Sequence, residues 1–447
     1  MISMAEKLST SPYKGSRDFY PEEMALRKWM FSKVRGVLES FAFQEYDGPL
    51  LEPFELYAAK TGDEIVNQQL YSFTDRGDRK MAIRPEMTPT LARMVAAKVQ
   101  ELPKPIRWYS IPNLWRYERP QRGRLREHWQ INVDLLGGNV EQSNAEVLAI
   151  AGAIFKSFGG EQFVEIRFNN RRLMDAFFAH LELGAEGSYA LGKLIDAKAK
   201  MNPEAFAVEL QKILEANSKQ ASDVPAKTLI FQSFLASDLA GLSKIAGLKD
   251  SAEFIKATQE LLDFEKQLSN RKLPVKTKFD PSIMRGLDYY TGIVFEAYDL
   301  SPENNRALFG GGRYDNLIGL FSKSELSGIG FGLGDVTLMH FLETHKLLPV
   351  NQDSQLIYIG CADEALIPHS FDLESQLRGQ QRAVVSGQGF DSLKSHLKAA
   401  SRVQARYFIG LLGDEWARGK VILKDLKTGQ QSELSVKDEL AKFLAAT

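Results

Sequence analysis

Cysteine is all but absent from this chain. Cys361 stands alone among 447 residues, which excludes a disulfide framework within the chain and fits a reducing compartment. The most economical place for it is a buried strand end. Histidine is also sparse: the six residues include His128, His369 and His396, and none of them share a spacing suited to a metal site. Bulk charge carries no signal, because 56 basic and 57 acidic side chains leave a formal net charge of -1. Any contact with nucleic acid must then come from local basic patches. No apolar run is long enough to span a bilayer and no signal-peptide pattern is seen, so a cytoplasmic location with no membrane partner is expected. What remains is ordinary for a globular protein, 44% hydrophobic and 25% charged, with a length that allows about three domains.

Chemistry concentrates in a few blocks. Arg285 to Glu296 reads RGLDYYTGIVFE, combining a cation, the two phenols Tyr289 and Tyr290, and Gly bends ahead of an Ile-Val-Phe strand. That arrangement places Arg285 at a strand mouth and suits a small polar substrate. Arg107 to Gly137 reads RWYSIPNLWRYERPQRGRLREHWQINVDLLG, two strands joined by a loop that Pro120 and Gly123 punctuate. Five arginines fall between Arg116 and Arg126, against Glu118 and Glu127. Guanidinium groups offer planar, bidentate donors to phosphate and keep their charge, so this loop suits a polyanion. On the return strand Ile131, Val133 and Leu135 alternate with Gln130, Asn132 and Asp134. One face is therefore apolar, and the other presents two amides and a carboxylate.

Upstream, Met81 to Lys98 carries Arg-Pro-Glu before a helical pattern, with Thr88 as the expected N-cap and Pro89 at the first helical position. Asp18 and Pro21 introduce another helix, with Met30, Val34, Val37, Leu38 and Phe41 on one face. Phe43 to Pro53 reads as an edge strand and proline turn, and Arg76-Gly77-Asp78 as a hairpin turn. Further on come a Gly310 to Gly312 run followed by Arg313-Tyr314, and a Gly-rich strand leading into a helix over Ser327 to Glu343.

Together these blocks resemble the histidyl-tRNA synthetases of the class IIa aminoacyl-tRNA synthetases. Phe43 to Pro53 is similar to motif 1, whose proline, here Pro49, lies at the dimer interface in relatives, so a homodimer is implied. The block around Arg116 resembles motif 2, Ser327 to Glu343 motif 3, and RGLDYY the signature peptide. The resemblance implies ligation of L-histidine to tRNA(His) through a histidyl-adenylate, with ATP and Mg2+ as a substrate complex and no permanent cofactor. It assigns the α-phosphate to Arg116 and Arg285, with Glu118, Arg124, Gly332 and Gly334 completing the ATP site. Glu86, Thr88, Gln130, Asp134, Tyr289, Tyr290 and Tyr314, beside Arg313, would hold histidine, and Gln121 and Arg122 would meet tRNA. The chain departs from the family pattern in three places: Asp134 where Glu is usual, Met87 where Gly is usual, and Gly334-Asp335-Val336-Thr337 where an arginine normally follows the glycine to stack on adenine. A catalytically silent relative, the regulatory subunit of ATP phosphoribosyltransferase, is the alternative. Such regulators generally lack the anticodon domain and erode the signature peptide, and this chain keeps both.

The implied architecture is α+β. A class II antiparallel sheet flanked by helices spans 1–348, interrupted by an Ala-, Leu-, Lys- and Glu-rich helical insertion at about 171–272. After a linker at Pro349 to Ser354, residues 355–447 read as a mixed α/β domain resembling the anticodon-binding domain of the same enzymes. Its strands are expected at Leu356 to Gly360, Ala383 to Val385, Tyr407 to Leu412 and Val421 to Leu423.

Overall fold

Pro21 opens helix α1 (Pro21–Ser40), where its missing N–H costs nothing because the first turn has no carbonyl to meet it. Met30, Phe31, Val34 and Leu38 form the buried stripe, and Val37 and Phe41 pack partly buried beside it. The computed structural model describes residues 8–58, 68–198, 201–245, 248–284, 290–304, 307–315, 317–349, 355–437 and 440. After α1 come strands β1 (Gln44–Glu45) and β2 (Leu51–Pro53) and the short helix α2 (Phe54–Ala58). Strands β3 (Ser72–Thr74) and β4 (Lys80–Ile83) form the expected hairpin. Asp75 Oδ1 accepts from the Gly77 and Arg79 amides at its turn.

Helix α3 (Thr88–Ala97) corrects one expectation: Thr88 is its first residue, not its cap. Met87 holds the cap position in helical backbone geometry and no side chain caps the end. Pro89 then falls in the first turn, where it still gives up only an unpaired N–H. The first of the two strands expected between Arg107 and Gly137 is itself two, β5 (Ile106–Ser110) and β6 (Asn113–Trp115). Pro112 between them cannot donate to a ladder. Both pieces pair antiparallel with β7 (Glu127–Leu136). Helix α4 (Val140–Ser157) follows, capped by the Asn139 side chain, and then β8 (Val164–Asn170).

The expected insertion is helical: α5 (Arg171–His180), α6 (Ala185–Ala197), α7 (Pro203–Ala216), α8 (Asp223–Leu235) and α9 (Ala252–Arg271). It shares one apolar core with the sheet. Phe177 stacks on Phe234 at 3.9 Å, Phe264 meets Phe168 of β8 edge-on at 5.1 Å, and all four belong to the cluster that holds Ile131 and Val133. The chain returns through β9 (Lys276–Phe279), β10 (Ile293–Asp299), β11 (Ala307–Tyr314) and β12 (Gly328–Gly334) into α10 (Asp335–Thr344).

The central sheet has the order β1-β5-β7-β12-β11-β10-β8-β9, with β6 also on β7. It is mixed, not antiparallel throughout: its inner pairs are antiparallel, but β1 with β5 and β8 with β9 run parallel. Neither pair is joined by a tight hairpin: β8 returns to β9 through helices α5 to α9, and β1 reaches β5 through the separate β2-β4-β3 sheet with α2 and α3, long connections of the kind parallel strands need.

Met1–Leu348 forms one compact unit and Pro349–Thr447 a second. Its elements are β13 (Ile357–Cys361), α11 (Ile367–Gly379), β14 (Val384–Phe390), α12 (Leu393–Arg402), β15 (Tyr407–Leu411), α13 (Gly413–Ala417), β16 (Lys420–Asp425) and β17 (Gln431–Ser435). The order β14-β13-β15-β16-β17 combines two parallel and two antiparallel pairs. Cys361 ends β13 inside a core that includes Ile357, Leu373 and Ile409. Residues 350–354 of the expected linker lie outside the described residues.

Candidate active site

Side chains alternate across a strand, so the burial of one face of β7 fixes the other. Ile131, Val133 and Leu135 lie in the core at 0–2% exposure. His128, Gln130, Asn132 and Asp134 therefore share the opposite face. Across the ladder stands a row of glycines: Gly330 opposite Asp134, Gly332 opposite Asn132 and Gly334 opposite Gln130. On the next strand, Gly310 and Gly312 stand opposite Gly332 and Gly330.

These glycines are a floor on which larger side chains lie flat. A Cβ at Gly330 would sit 2.3 Å from Asp134 Oδ1, and one at Gly332 would sit 2.8 Å from the Gln130 amide. At Gly312 it would meet the Tyr290 ring at 2.8 Å, and at Gly328 the Tyr314 ring at 2.5 Å. Gln130, Asp134, Tyr290 and Tyr314 are thus brought together over one surface. The signal for this floor was in the sequence, in the alternation of Gly328, Gly330, Gly332 and Gly334 with Ile329, Phe331 and Leu333. Only Gly332 and Gly334 were expected to matter, and His128 was missed altogether.

Asp134 is 4% exposed and accepts a hydrogen bond from the Tyr314 hydroxyl. Burial pushes its carboxyl up to about 7, against the opposing effect of that donor. Tyr46 and Trp108 border the same end, with ring centroids 5.4 Å apart, and burial close to Asp134 pushes the Tyr46 phenol well above its ordinary value.

Arg313 corrects the expectation that it lines this surface beside Tyr314. Alternation turns it away, where it is 4% exposed. Its guanidinium binds Asn144 Oδ1 at 2.7 and 2.9 Å, the Val140 carbonyl at 3.1 Å, and the Ser327 hydroxyl. It ties β11 to α4.

Arg116 follows β6, and its Nε donates to the Pro85 carbonyl at 2.8 Å, which sets it beside Glu86. Among the described residues its terminal nitrogens have no hydrogen-bond partner in the protein. Glu86 and Thr88 are half-buried. Arg84, 5% exposed, holds this segment in place: its Nε donates to the Asn113 carbonyl at 2.9 Å, and its Nη1 to Asp47 Oδ1 and the Gly48 carbonyl at 2.7 Å each. In the arginine-rich loop Glu118 pairs with Arg124 at 3.3 Å. Gln121 and Arg124 close the tip by exchanging backbone hydrogen bonds, and Arg122 reaches Asn304 Oδ1 at 3.4 Å. Arg285 and Tyr289 lie outside the described residues. Among the described residues no group of three or more His, Cys, Asp or Glu side chains is placed to hold a metal ion, and no helix is long and apolar enough to cross a membrane.

Solved structures share this architecture. A histidyl-tRNA synthetase from Nostoc sp. PCC 7120 superposes with a TM-score of 0.80 at 24% identity, covering 98% of this chain and 100% of its own. A protein from Bacillus halodurans C described as an ATP phosphoribosyltransferase regulatory subunit/histidyl-tRNA synthetase gives a TM-score of 0.74 at 21% identity, covering 91% and 100%. The mixed sheet, its glycine floor and the C-terminal α/β unit define the fold of a class II aminoacyl-tRNA synthetase. Within that class, a family model described as histidyl-tRNA synthetase matches residues 15–336. A histidine--tRNA ligase of Leptospira biflexa is 41% identical over 98% of both chains, and one of Thermoplasma volcanium is 36% identical over 96% of this chain and 97% of its own. The chain belongs to the histidyl-tRNA synthetase family.

Proposed function

We infer that this protein activates L-histidine with ATP and transfers it to tRNA(His). The observation that carries the reading is the polar face of β7 lying over the glycine floor, with Arg116 anchored beside Glu86 at its border. Such a surface binds a small, polar, hydrogen-bonding amino acid next to a phosphate. Gln130, Asp134, Tyr290 and Tyr314 hold histidine, with Glu86 and Thr88 at its ammonium end. Tyr289 joins them on the strength of the sequence alone.

In the first step a histidine carboxylate oxygen attacks the α-phosphorus of ATP. The bond to the bridging oxygen breaks, and pyrophosphate leaves with the electron pair. Arg116, whose terminal nitrogens have no hydrogen-bond partner among the described residues, stabilises the charge that builds on the α-phosphate, and the sequence resemblance gives Arg285 the same task. Catalysis is then alignment plus preorganised cations, with no side-chain nucleophile. Mg2+ enters with ATP as part of the substrate. In the second step a ribose hydroxyl at the tRNA 3′ end attacks the activated carbonyl and AMP leaves. Glu118 and Arg124 shape the nucleotide side, Gln121 and Arg122 at the loop tip contact the acceptor end, and the unit 349–447 binds the anticodon region. Pro49 follows β1, and the segment it belongs to forms the interface of a cytoplasmic homodimer.

Histidine-dependent exchange of labelled pyrophosphate into ATP tests this reading. Exchange with histidine, and charging of tRNA(His), support it. Histidine binding without exchange would assign the chain to the regulatory class instead.

A further inference from the structure

Tyr290 lies on Gly312 just ahead of β10, where a Cβ built on the glycine would come within 2.8 Å of its ring. Glycine leaves room for the ring without fixing its direction, so the backbone leading into β10 has to do so. From Gly292 onward that backbone is fixed from both sides. The Arg171 amide, at the start of α5, donates to the Gly292 carbonyl at 2.8 Å, and Ile293 and Val294 pair with Asn170 of β8 and Gly312 of β11. Thr291, the residue beside Tyr290, is tied by its side chain as well as its backbone. Its N–H donates to the Arg313 carbonyl at 2.8 Å, and its hydroxyl donates to Asp315 Oδ2 at 2.7 Å.

Asp315, the first residue after β11, is itself held. Its Oδ1 accepts from the Ser327 hydroxyl at 2.6 Å and lies 3.5 Å from Arg313 Nη1, and Arg313 is anchored in turn by Asn144 of α4. One carboxylate oxygen thus belongs to the Arg313 scaffold, and the other reaches the residue next to Tyr290. The two roles separate. As a partner for a buried cation Asp315 serves stability, because a buried charge left alone is costly. Its bond to Thr291 adds nothing to that pairing, and β10 is held by its ladders and the Arg171 amide without it. What the bond fixes is the turn that carries Tyr290.

We propose that Asp315 is a positioning residue for the amino-acid site, holding Tyr290 over the glycine floor through the Thr291 hydroxyl. Asp315 touches no substrate in this arrangement. Substrate affinity instead scales with the fraction of molecules in which the turn is held. The assignment rests on the synthetase reading for its ligand, while the hydrogen bonds of the free protein give it a test of its own.

The experiment is pyrophosphate exchange on the intact protein with histidine and ATP varied in turn, beside thermal melting and amide hydrogen exchange of the segment from Tyr290 to Val294 in the free protein. Thr291→Val keeps the shape of the side chain and leaves Arg313, Ser327 and Asp315 in place, but removes the donor. It should raise the histidine Michaelis constant by more than about threefold and up to roughly 150-fold, the ceiling set by one hydrogen bond to a charged group. The ATP constant should stay within about twofold, the change expected for a site with no shared contact. Amide exchange of the segment should quicken, while that of β11 keeps its wild-type rate. Thr291→Ser, which restores the hydroxyl, should recover most of the loss. Asp315→Ala should show the same histidine-selective defect together with a lower melting temperature, and the double variant should be no worse for histidine than the more affected single one, since both remove the same bond. If Asp315→Ala does not fold, Thr291→Val decides alone.

A histidine constant within about threefold of the wild type in a folded Thr291→Val protein, whatever its melting temperature, overturns the assignment. So do equal defects for histidine and ATP, which report a general disturbance of the site. Should the wild-type protein exchange with a different amino acid, the histidine reading falls, and the same comparison made with that amino acid still decides Asp315. Should it exchange with none, the synthetase reading falls, and unchanged amide exchange of the segment in Thr291→Val overturns the clamp as well.

Discussion

Gly330→Ala is the sharpest single probe of the glycine floor. The added Cβ would lie 2.3 Å from Asp134 Oδ1 and 2.5 Å from the Val133 carbonyl oxygen. The second atom is backbone inside a paired strand and cannot swing aside, so Asp134 must move and strand separation must grow. Overpacking of this kind costs about 1–3 kcal/mol of stability. Displacing Asp134 also breaks its hydrogen bond with Tyr314, and a bond to a charged group is worth about 1.5–3 kcal/mol. Carried into histidine binding, that loss raises the histidine Michaelis constant by roughly 10- to 150-fold. Steady-state pyrophosphate exchange above pH 8, where Asp134 is ionised, measures it, with ATP varied as the control. An unchanged histidine constant in a folded Gly330→Ala protein would refute the view that Asp134 is held over this glycine to meet the amino acid.

Gly36 gives the opposite expectation, since it lies inside α1 with nothing within 4 Å of a built Cβ. Gly36→Ala should stabilise the protein by about 0.5–1 kcal/mol with unchanged kinetics, as read by denaturant unfolding and exchange. Burial raises the folded-state pKa of Asp134 to about 7, above an unfolded value near 3.9. The folded protein thus binds more protons between those limits, and stability contributed at low pH is lost as pH rises through that window. Asp134→Asn should flatten this slope in melting temperatures taken from pH 5 to 8, and an unaltered slope would remove Asp134 as its source. Truncation after Val350 deletes a unit with its own core. The remaining protein should still exchange pyrophosphate but charge tRNA poorly, and equal charging would withdraw RNA binding from the C-terminal unit.

The polar and apolar faces of β7 were legible because a period of two residues leaves little freedom once one face is apolar. The same alternation in β12 was less visible: glycine carries no polarity, so its pattern reads as flexibility until the facing side chains are known. Arg313 misled because adjacent residues in a strand point to opposite faces, and of the two only Tyr314 faces the glycine floor. Strand β17 was not foreseen, since Gln431 to Ser435 is an edge strand with mostly exposed polar side chains and offers little apolar signal. The parallel edges of the central sheet could not be read locally either, because strand direction depends on the long helical return from β8 to β9. The pairing of Arg17 with Asp335 spans nearly the whole synthetase unit, beyond the reach of any motif.

Amino-acid-dependent pyrophosphate exchange, run on the intact protein with a panel that includes histidine and apolar amino acids of similar size, tests the central claim most directly. Histidine should support exchange, and the others should fall short by on the order of 10⁴-fold, because they would leave buried donors and acceptors over the glycine floor unpaired. Preferential exchange with any other amino acid, or none with histidine, would contradict it.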